Sequence, residues 1–197
     1  MPYPYTQELI QSAFTYSNYR KYINEALAVP VQDEHAAKMQ HYITNNVALM
    51  DEYDKTYHVS ADLKTVLANA PATIWLVISE GWCGDAAFNL PMMAAIEKAM
   101  PEKVQIRMLF RDSNLDVIDA NLTDGGRSIP KLIILSEDLK ELGHWGPRPA
   151  PLQVLMKEWK SEGLALKELI PKVHEWYDAD QTRTVQEELN TLIKTYS

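Results

Sequence analysis

The sequence predicts an α/β domain in which helices flank a mixed four-stranded sheet. Residues 73–79 form an almost uninterrupted apolar run, which is typical of a central strand covered on both faces. A helical pattern over 84–100 separates this run from an alternating strand at 104–110. Two short strands at 131–136 and 141–145 follow, joined by a polar tetrapeptide, which predicts an antiparallel hairpin.

The first 71 residues predict a helical extension. Helices are expected over residues 6–13, 19–27, 34–57 and 61–68. In the third of these, apolar residues recur every three or four positions and form one stripe. Ser60 is expected to cap the fourth helix and Pro71 to end it. We expect the extension to pack on the sheet, and its many tyrosines leave open a dimerisation or partner surface.

The second half of the chain adds four helices to this pattern. They are expected at about 114–121, 150–160, 165–178 and 182–196. Gly163 is the residue that ends the second of them. The sequence contains no internal repeat. We therefore interpret the chain as one domain over residues 1–197, with a helical N-terminal extension (1–71), a core (72–160) and C-terminal helices (161–197).

Composition and charge exclude several classes of function. There are 19 Lys and Arg against 27 Asp and Glu, and the net charge of −8 argues against binding to nucleic acid or an anionic membrane. The single cysteine has no partner for an internal disulfide, which favours a reducing compartment. Residues 1–5 do not resemble a signal peptide, and no apolar run is long enough to span a membrane. These features predict a cytoplasmic protein.

Cys83 lies where the first predicted strand gives way to a helix. The first-turn N–H groups of a helix have no intrahelical partner, and the helix dipole adds partial positive charge there. Both effects favour the thiolate, which is the nucleophilic form. Asp85 lies on the same turn, and its charge would raise the thiol pKa. The sequence leaves open which effect prevails, and whether Asp85 instead only bonds backbone N–H groups at the helix start.

The motif Trp82–Ala86, which reads Trp-Cys-Gly-Asp-Ala, resembles the Trp-Cys-Gly-Pro-Cys active-site turn of thioredoxins. Pro91 falls at the position where thioredoxins kink the following helix. Residues 126–131 resemble the loop that carries the thioredoxin cis-proline, which would be Pro130 here. Gly146 corresponds to a glycine that the same fold brings beside the active cysteine.

This resemblance spans residues 72–159. When the helical N-terminus and residues 145–149 are included, the chain resembles a branch of bacterial thioredoxin-like proteins that carry Trp-Cys-Gly-Asp. It implies a thioredoxin-like fold. It also implies chemistry with one thiol, because Ala86 stands where thioredoxins carry their second cysteine. Any mixed disulfide on Cys83 would then be resolved by an external thiol.

The same resemblance implies a substrate groove beside Cys83. The residues expected to line it are Ile129, Pro130, Gly146, Arg127 and Arg148. Trp82 would pack beside the sulfur and exclude water, and Ile129 would expose its backbone for a partner strand to pair with. Either arginine would stabilise the thiolate or bind a carboxylate such as that of glutathione, unless it forms a surface ion pair.

The favoured hypothesis is a monothiol oxidoreductase that makes transient mixed disulfides through Cys83, with Asp85 and Trp82 beside it. Its partner would be a thiol- or disulfide-bearing protein, or a small thiol such as glutathione. A non-catalytic thioredoxin-fold protein-binding module is the main alternative, and a peroxide-reducing cysteine is a less favoured one. No metal and no cofactor are expected, because the five histidines lack metal-ligand spacing. A homodimer stays an open alternative.

Overall fold

Four strands form one mixed sheet in the order β2-β1-β3-β4 in the computed structural model, which describes residues 3–197. The strands are β1 (Thr73–Ser79), β2 (Val104–Phe110), β3 (Lys131–Ser136) and β4 (Glu141–Trp145). Strand β1 runs parallel to β2 and antiparallel to β3, and β3 runs antiparallel to β4. The α/β class and the mixed four-stranded sheet predicted from the sequence are confirmed.

The helices of the described chain surround this sheet. They are α1 (Gln7–Ser12), α2 (Tyr16–Ala26), α3 (Glu34–Thr56), α4 (Ala61–Asn69), α5 (Gly84–Ala99), α6 (Leu115–Asp119), α7 (Ala150–Ser161), α8 (Leu166–Asp180) and α9 (Arg183–Ile193). Within residues 3–197, no helix combines the length and the apolar character needed to cross a membrane.

Side-chain caps explain where the helices of the extension begin. Thr6, Thr15, Asp33 and Ser60 each accept a hydrogen bond from the backbone N–H three residues further on. Helix α2 therefore begins earlier than the sequence pattern predicts, directly after its cap. Helix α6 is shorter than predicted, because a 3₁₀ turn at Arg111–Ser113 precedes it and Ala120 ends it.

The extension is packed onto the sheet and completes the core. Tyr19, Met50 and Leu63, from α2, α3 and α4, have no exposed surface. Helix α3 packs along α5, and α4 packs against the C-terminal helix α9. Phe14 also pairs with Met108 through two backbone hydrogen bonds, which covers part of the outer edge of β2.

The register of the strands brings three loops together at one end of the sheet. Strand β1 ends at Ser79, and the turn that carries Cys83 leads directly into α5. Because β3 is antiparallel to β1, with Ile78 opposite Lys131, the loop before β3 arrives at this same end. Trp145, the last residue of β4, pairs with Leu132, so the loop after β4 also lies there.

Helix α3 anchors the turn between β1 and α5. The Asn46 side-chain amide donates a buried hydrogen bond of 2.9 Å to the Gly81 carbonyl. We expect Asn46→Ala to lower the free energy of unfolding by about 1–2 kcal/mol, because the buried carbonyl loses its donor. Urea denaturation measures this. The matched control is Asn45→Ala on the exposed face of α3, for which a change within about 0.5 kcal/mol is expected. Equal losses in both variants would contradict the anchoring role.

Candidate functional site

Cys83 occupies the N-cap position of α5 and lies against the turn that precedes β3. The Ile129–Pro130 peptide bond in that turn is cis. The Cys83 thiol donates a hydrogen bond to the Ile129 carbonyl, with 3.3 Å between Sγ and oxygen. Only 7% of the cysteine surface is exposed. The thiol and the cis-proline turn, which lie far apart in the sequence, are therefore in direct contact.

Gly146 permits the loop after β4 to pass close to this turn. Its φ of +117° is a backbone conformation that residues with a side chain rarely adopt. A Cβ atom at this position would lie 2.2 Å from the Pro130 carbonyl oxygen, which is far inside van der Waals contact. The next peptide bond, Gly146–Pro147, is also cis. Residue 146 must therefore be glycine for the two proline turns to meet.

Asp85, on the first turn of α5, is held by a guanidinium and a phenol. Arg148 Nε donates to both carboxylate oxygens, at 3.0 and 3.1 Å, and a terminal guanidinium nitrogen adds a third hydrogen bond. Tyr177 Oη donates to Oδ1 at 2.9 Å. The side chains of Asp85 and Arg148 are only 11% and 19% exposed. Asp85 therefore forms a largely buried ion pair that fixes the loop after β4 to the start of α5.

Helix α8 completes this cluster from the C-terminal end of the chain. The Asn89 side-chain amide donates to Tyr177 Oη at 2.9 Å and to the Asp85 carbonyl at 2.8 Å. The Phe88 ring stacks on the Tyr177 ring with 4.2 Å between centroids. Burial, followed by the Asp85 charge, raises the pKa of Tyr177 well above its usual value, so the phenol keeps its proton and remains a donor.

The electrostatics of the site keep the thiol protonated. Burial, followed by the Asp85 charge, raises the pKa of Cys83 to about 12. The backbone N–H groups of Asp85 and Ala86 and the charge of Arg148 act in the opposite direction, with smaller effect. The effects of burial and of the Asp85 charge on the thiol pKa therefore exceed that of the helix start. The sequence had left open which of these effects is the larger.

A family model described as Thioredoxin matches residues 32–160. The chain belongs to the thioredoxin-like family. The match covers well over half of the described chain and includes Cys83, the cis-proline turn and Arg148. The thioredoxin-like fold expected from the sequence is thereby confirmed. No curated protein matches this chain.

Two solved structures share this thioredoxin-like fold. One is a protein of unknown function from Pseudomonas aeruginosa, with 15% identity and a TM-score of 0.63, and the match covers 99% of this chain and all of that one. The other is an HIV epitope scaffold, with 14% identity and a TM-score of 0.63, over 98% of this chain and all of the scaffold. At such identities the likeness shows the fold alone.

The remaining residues predicted for the site differ in their burial and in their contacts. Trp82 is half-buried, and the Arg111 guanidinium lies 4.9 Å from its ring centroid. Arg127 forms an exposed bidentate pair with Asp119, which is the surface ion pair that the sequence left open as an alternative. Ile129 is buried, and its carbonyl accepts the hydrogen bond from the thiol. Across residues 3–197, no three His, Cys, Asp or Glu side chains are grouped as metal ligands would be.

Tyr177 and Asn89 belong to the site although sequence reasoning placed neither there. In the sequence, Tyr177 has only the features of an aromatic residue that packs a helix, and it lies 92 positions from Asp85. Asn89 is one turn beyond Asp85 on α5, a spacing at which two side chains share a helix face. A polar residue one helical turn from the carboxylate of the motif was therefore the only sequence feature that pointed to Asn89.

Replacing Gly146 by alanine is expected to cost about 3 kcal/mol or more of unfolding free energy. The added Cβ meets a backbone oxygen that has no room to move, and the positive φ adds strain. The matched control is Gly163→Ala, which has a φ of +84° but nothing within 4 Å of the added Cβ. That variant should lose only about 1 kcal/mol in the same denaturation assay. Similar losses in both would show that the contact with Pro130 is unimportant.

Replacing Asp85 by asparagine is expected to make the thiol more reactive. The variant removes the negative charge that raises the Cys83 pKa and leaves the Arg148 charge uncompensated beside the sulfur. Alkylation by iodoacetamide at about pH 8 should accelerate by roughly tenfold, which corresponds to a pKa lower by about one unit. Asp119→Asn, which frees Arg127 instead, should change the rate less than about twofold. A rate that is unchanged or slower in Asp85→Asn would contradict the assigned electrostatic effect.

Proposed function

We propose that this thioredoxin-like protein exchanges thiols and disulfides through Cys83 alone. The observation that carries the proposal is the contact between Cys83 Sγ and the backbone of the cis-proline turn. A thiol held at that position is next to the peptide segment that an extended partner chain would pair with, so the partner's sulfur would arrive beside Cys83. The N–H groups at the start of α5 would then stabilise charge that develops on the sulfur.

The exchange proceeds through one mixed disulfide. Cys83 loses its proton to solvent base, and its thiolate attacks one sulfur of the partner disulfide. A bond forms between Cys83 and that sulfur, while the second partner sulfur leaves as a thiolate. An external thiolate then attacks the Cys83 sulfur and releases the partner in its dithiol form. A second external thiolate restores free Cys83 and leaves as a disulfide with the first.

The identity of residue 86, one helical turn after Cys83, explains why an external thiol is needed. Ala86 is fully buried, and it occupies the position from which a second thiol would otherwise attack the mixed disulfide. Its methyl group has no nucleophilic atom. The chain has no other cysteine, so the resolving thiol comes from the partner or from a small molecule.

A second candidate function, a binding module without exchange, is favoured by the resting state of the thiol. A pKa of about 12 corresponds to a thiolate fraction of about 10⁻⁵ at pH 7. The Ile129 carbonyl is also occupied by the thiol proton. In this alternative Cys83 is a small buried residue of the groove, and Cys83→Ala would bind a partner as tightly as the unmodified chain does.

Reaction with oxidised glutathione tests the proposed exchange. The folded protein should form a mixed disulfide on Cys83, detected by mass spectrometry and reversed by reduced thiol. The rate should rise about tenfold per pH unit between about pH 7 and 9, because the reactive thiolate is a minor species throughout that range. The protein unfolded in guanidinium supplies the control for an accessible thiol. A folded chain that stays unmodified while the unfolded chain reacts would contradict exchange and support the binding module.

A further inference from the structure

A concave groove of about 970 Å³ lies between the helical extension and the core. It is bordered by the start of α2, the end of α3 and the following loop, Lys64 of α4, the C-terminal half of α5, and the start of β2. This volume is within the range that small-molecule sites occupy in proteins, and such sites favour junctions between structural units. None of the residues that line the groove belongs to the Cys83 site.

Apolar side chains form part of the wall of the groove. Val59 and Tyr57 contribute from the loop after α3, and Pro91, Ala94 and Ala95 contribute from α5. The three α5 residues are small, so their side chains leave the groove open. Protein interfaces are instead rich in large aromatic and methionine side chains. An apolar wall of this kind suits the body of a small organic molecule better than a protein partner.

Four basic side chains surround this apolar wall. They are Lys55, Lys64, Lys98 and Arg107, and His58 lies beside them. In the described part of the chain, none of the four lies within ion-pair distance of a carboxylate. The three lysines are exposed, so their ammonium groups are free to meet a ligand.

The two carboxylates that line the groove are already engaged by other groups. Asp54 accepts a hydrogen bond of 2.8 Å from the Tyr16 hydroxyl and forms an ion pair with Arg20. Glu97 accepts a hydrogen bond of 2.7 Å from the Ile106 backbone N–H. Four cationic side chains line the groove against two carboxylates, one of them paired with Arg20, so the groove is a locally positive region on a chain whose net charge is −8.

We propose that this groove binds an organic anion with an apolar body. The carboxylate or phosphate head would lie between Lys64 and Lys98, and the body would lie along the apolar wall. This activity is separate from thiol exchange, since it uses no residue near Cys83. The ligand class follows from the combination of unpaired cations, engaged carboxylates and a concave apolar wall.

Fluorescence titration with 1-anilinonaphthalene-8-sulfonate, an anion with an aromatic body, tests the proposal. We expect saturable binding at one site, weakened by added NaCl because the cations are near the surface. Decanoate and decyl phosphate should displace the probe and thereby distinguish a carboxylate from a phosphate ligand. Decanol, which lacks the charge, and acetate, which lacks the apolar body, should not displace it at the same concentration. Absence of saturable binding, or displacement by decanol alone, would overturn the proposal.

Charge reversal locates the site. The double variant Lys64→Glu/Lys98→Glu should bind the probe at least about tenfold more weakly. The matched control Lys38→Glu/Lys167→Glu makes the same change in net charge at two exposed lysines outside the groove, and should change the affinity less than about twofold. Equal weakening in both pairs would show a general charge effect and would contradict a site at this groove. A rate of Cys83 alkylation equal to that of the unmodified chain would show that the fold is intact in each variant.

Discussion

The buried ion pair between Asp85 and Arg148 is the interaction on which the Cys83 site depends. It joins the start of α5 to the loop that follows β4, and Tyr177 adds helix α8 to the same cluster. An isolated carboxylate in this environment would be very costly, and the guanidinium and phenol together supply most of its hydrogen bonds. Removing one partner of such a pair typically costs about 3–5 kcal/mol, because the other is left buried and uncompensated. The geometry around the sulfur is therefore set by α5, the loops on either side of the β3–β4 hairpin, and α8.

Burial of the sulfur, followed by the Asp85 charge, sets the charge state of the thiol. A cysteine at a helix start would ordinarily have a lowered pKa. Here Arg148 forms an ion pair with Asp85, and its lowering effect on the thiol pKa is smaller than the raising effects of burial and of the Asp85 charge. The protonated thiol donates a hydrogen bond to the Ile129 carbonyl. The structure thus shows a thioredoxin-like fold in which the Cys83 sulfur lies against the cis-proline turn and carries its proton.

Much of the fold is encoded locally and could be predicted. The four strand ranges follow from apolar runs and turns, and the cap at Ser60 follows from a hydroxyl side chain before a helical pattern. The partners of Asp85 could not be predicted, because they depend on where α8 and the loop after β4 pack in three dimensions. The thiol pKa could not be predicted for a related reason. The helix dipole is a local property, whereas burial is a property of the folded chain.

Titration of the single cysteine by NMR tests the central claim most directly. With ¹³C at the cysteine β-carbon, the chain gives one resonance, since Cys83 is its only cysteine. Protonation of the thiol at rest predicts a chemical shift that stays constant up to about pH 10. A titration midpoint below about pH 8.5 would show an activated thiolate and would contradict the account of how burial and Asp85 act on the sulfur.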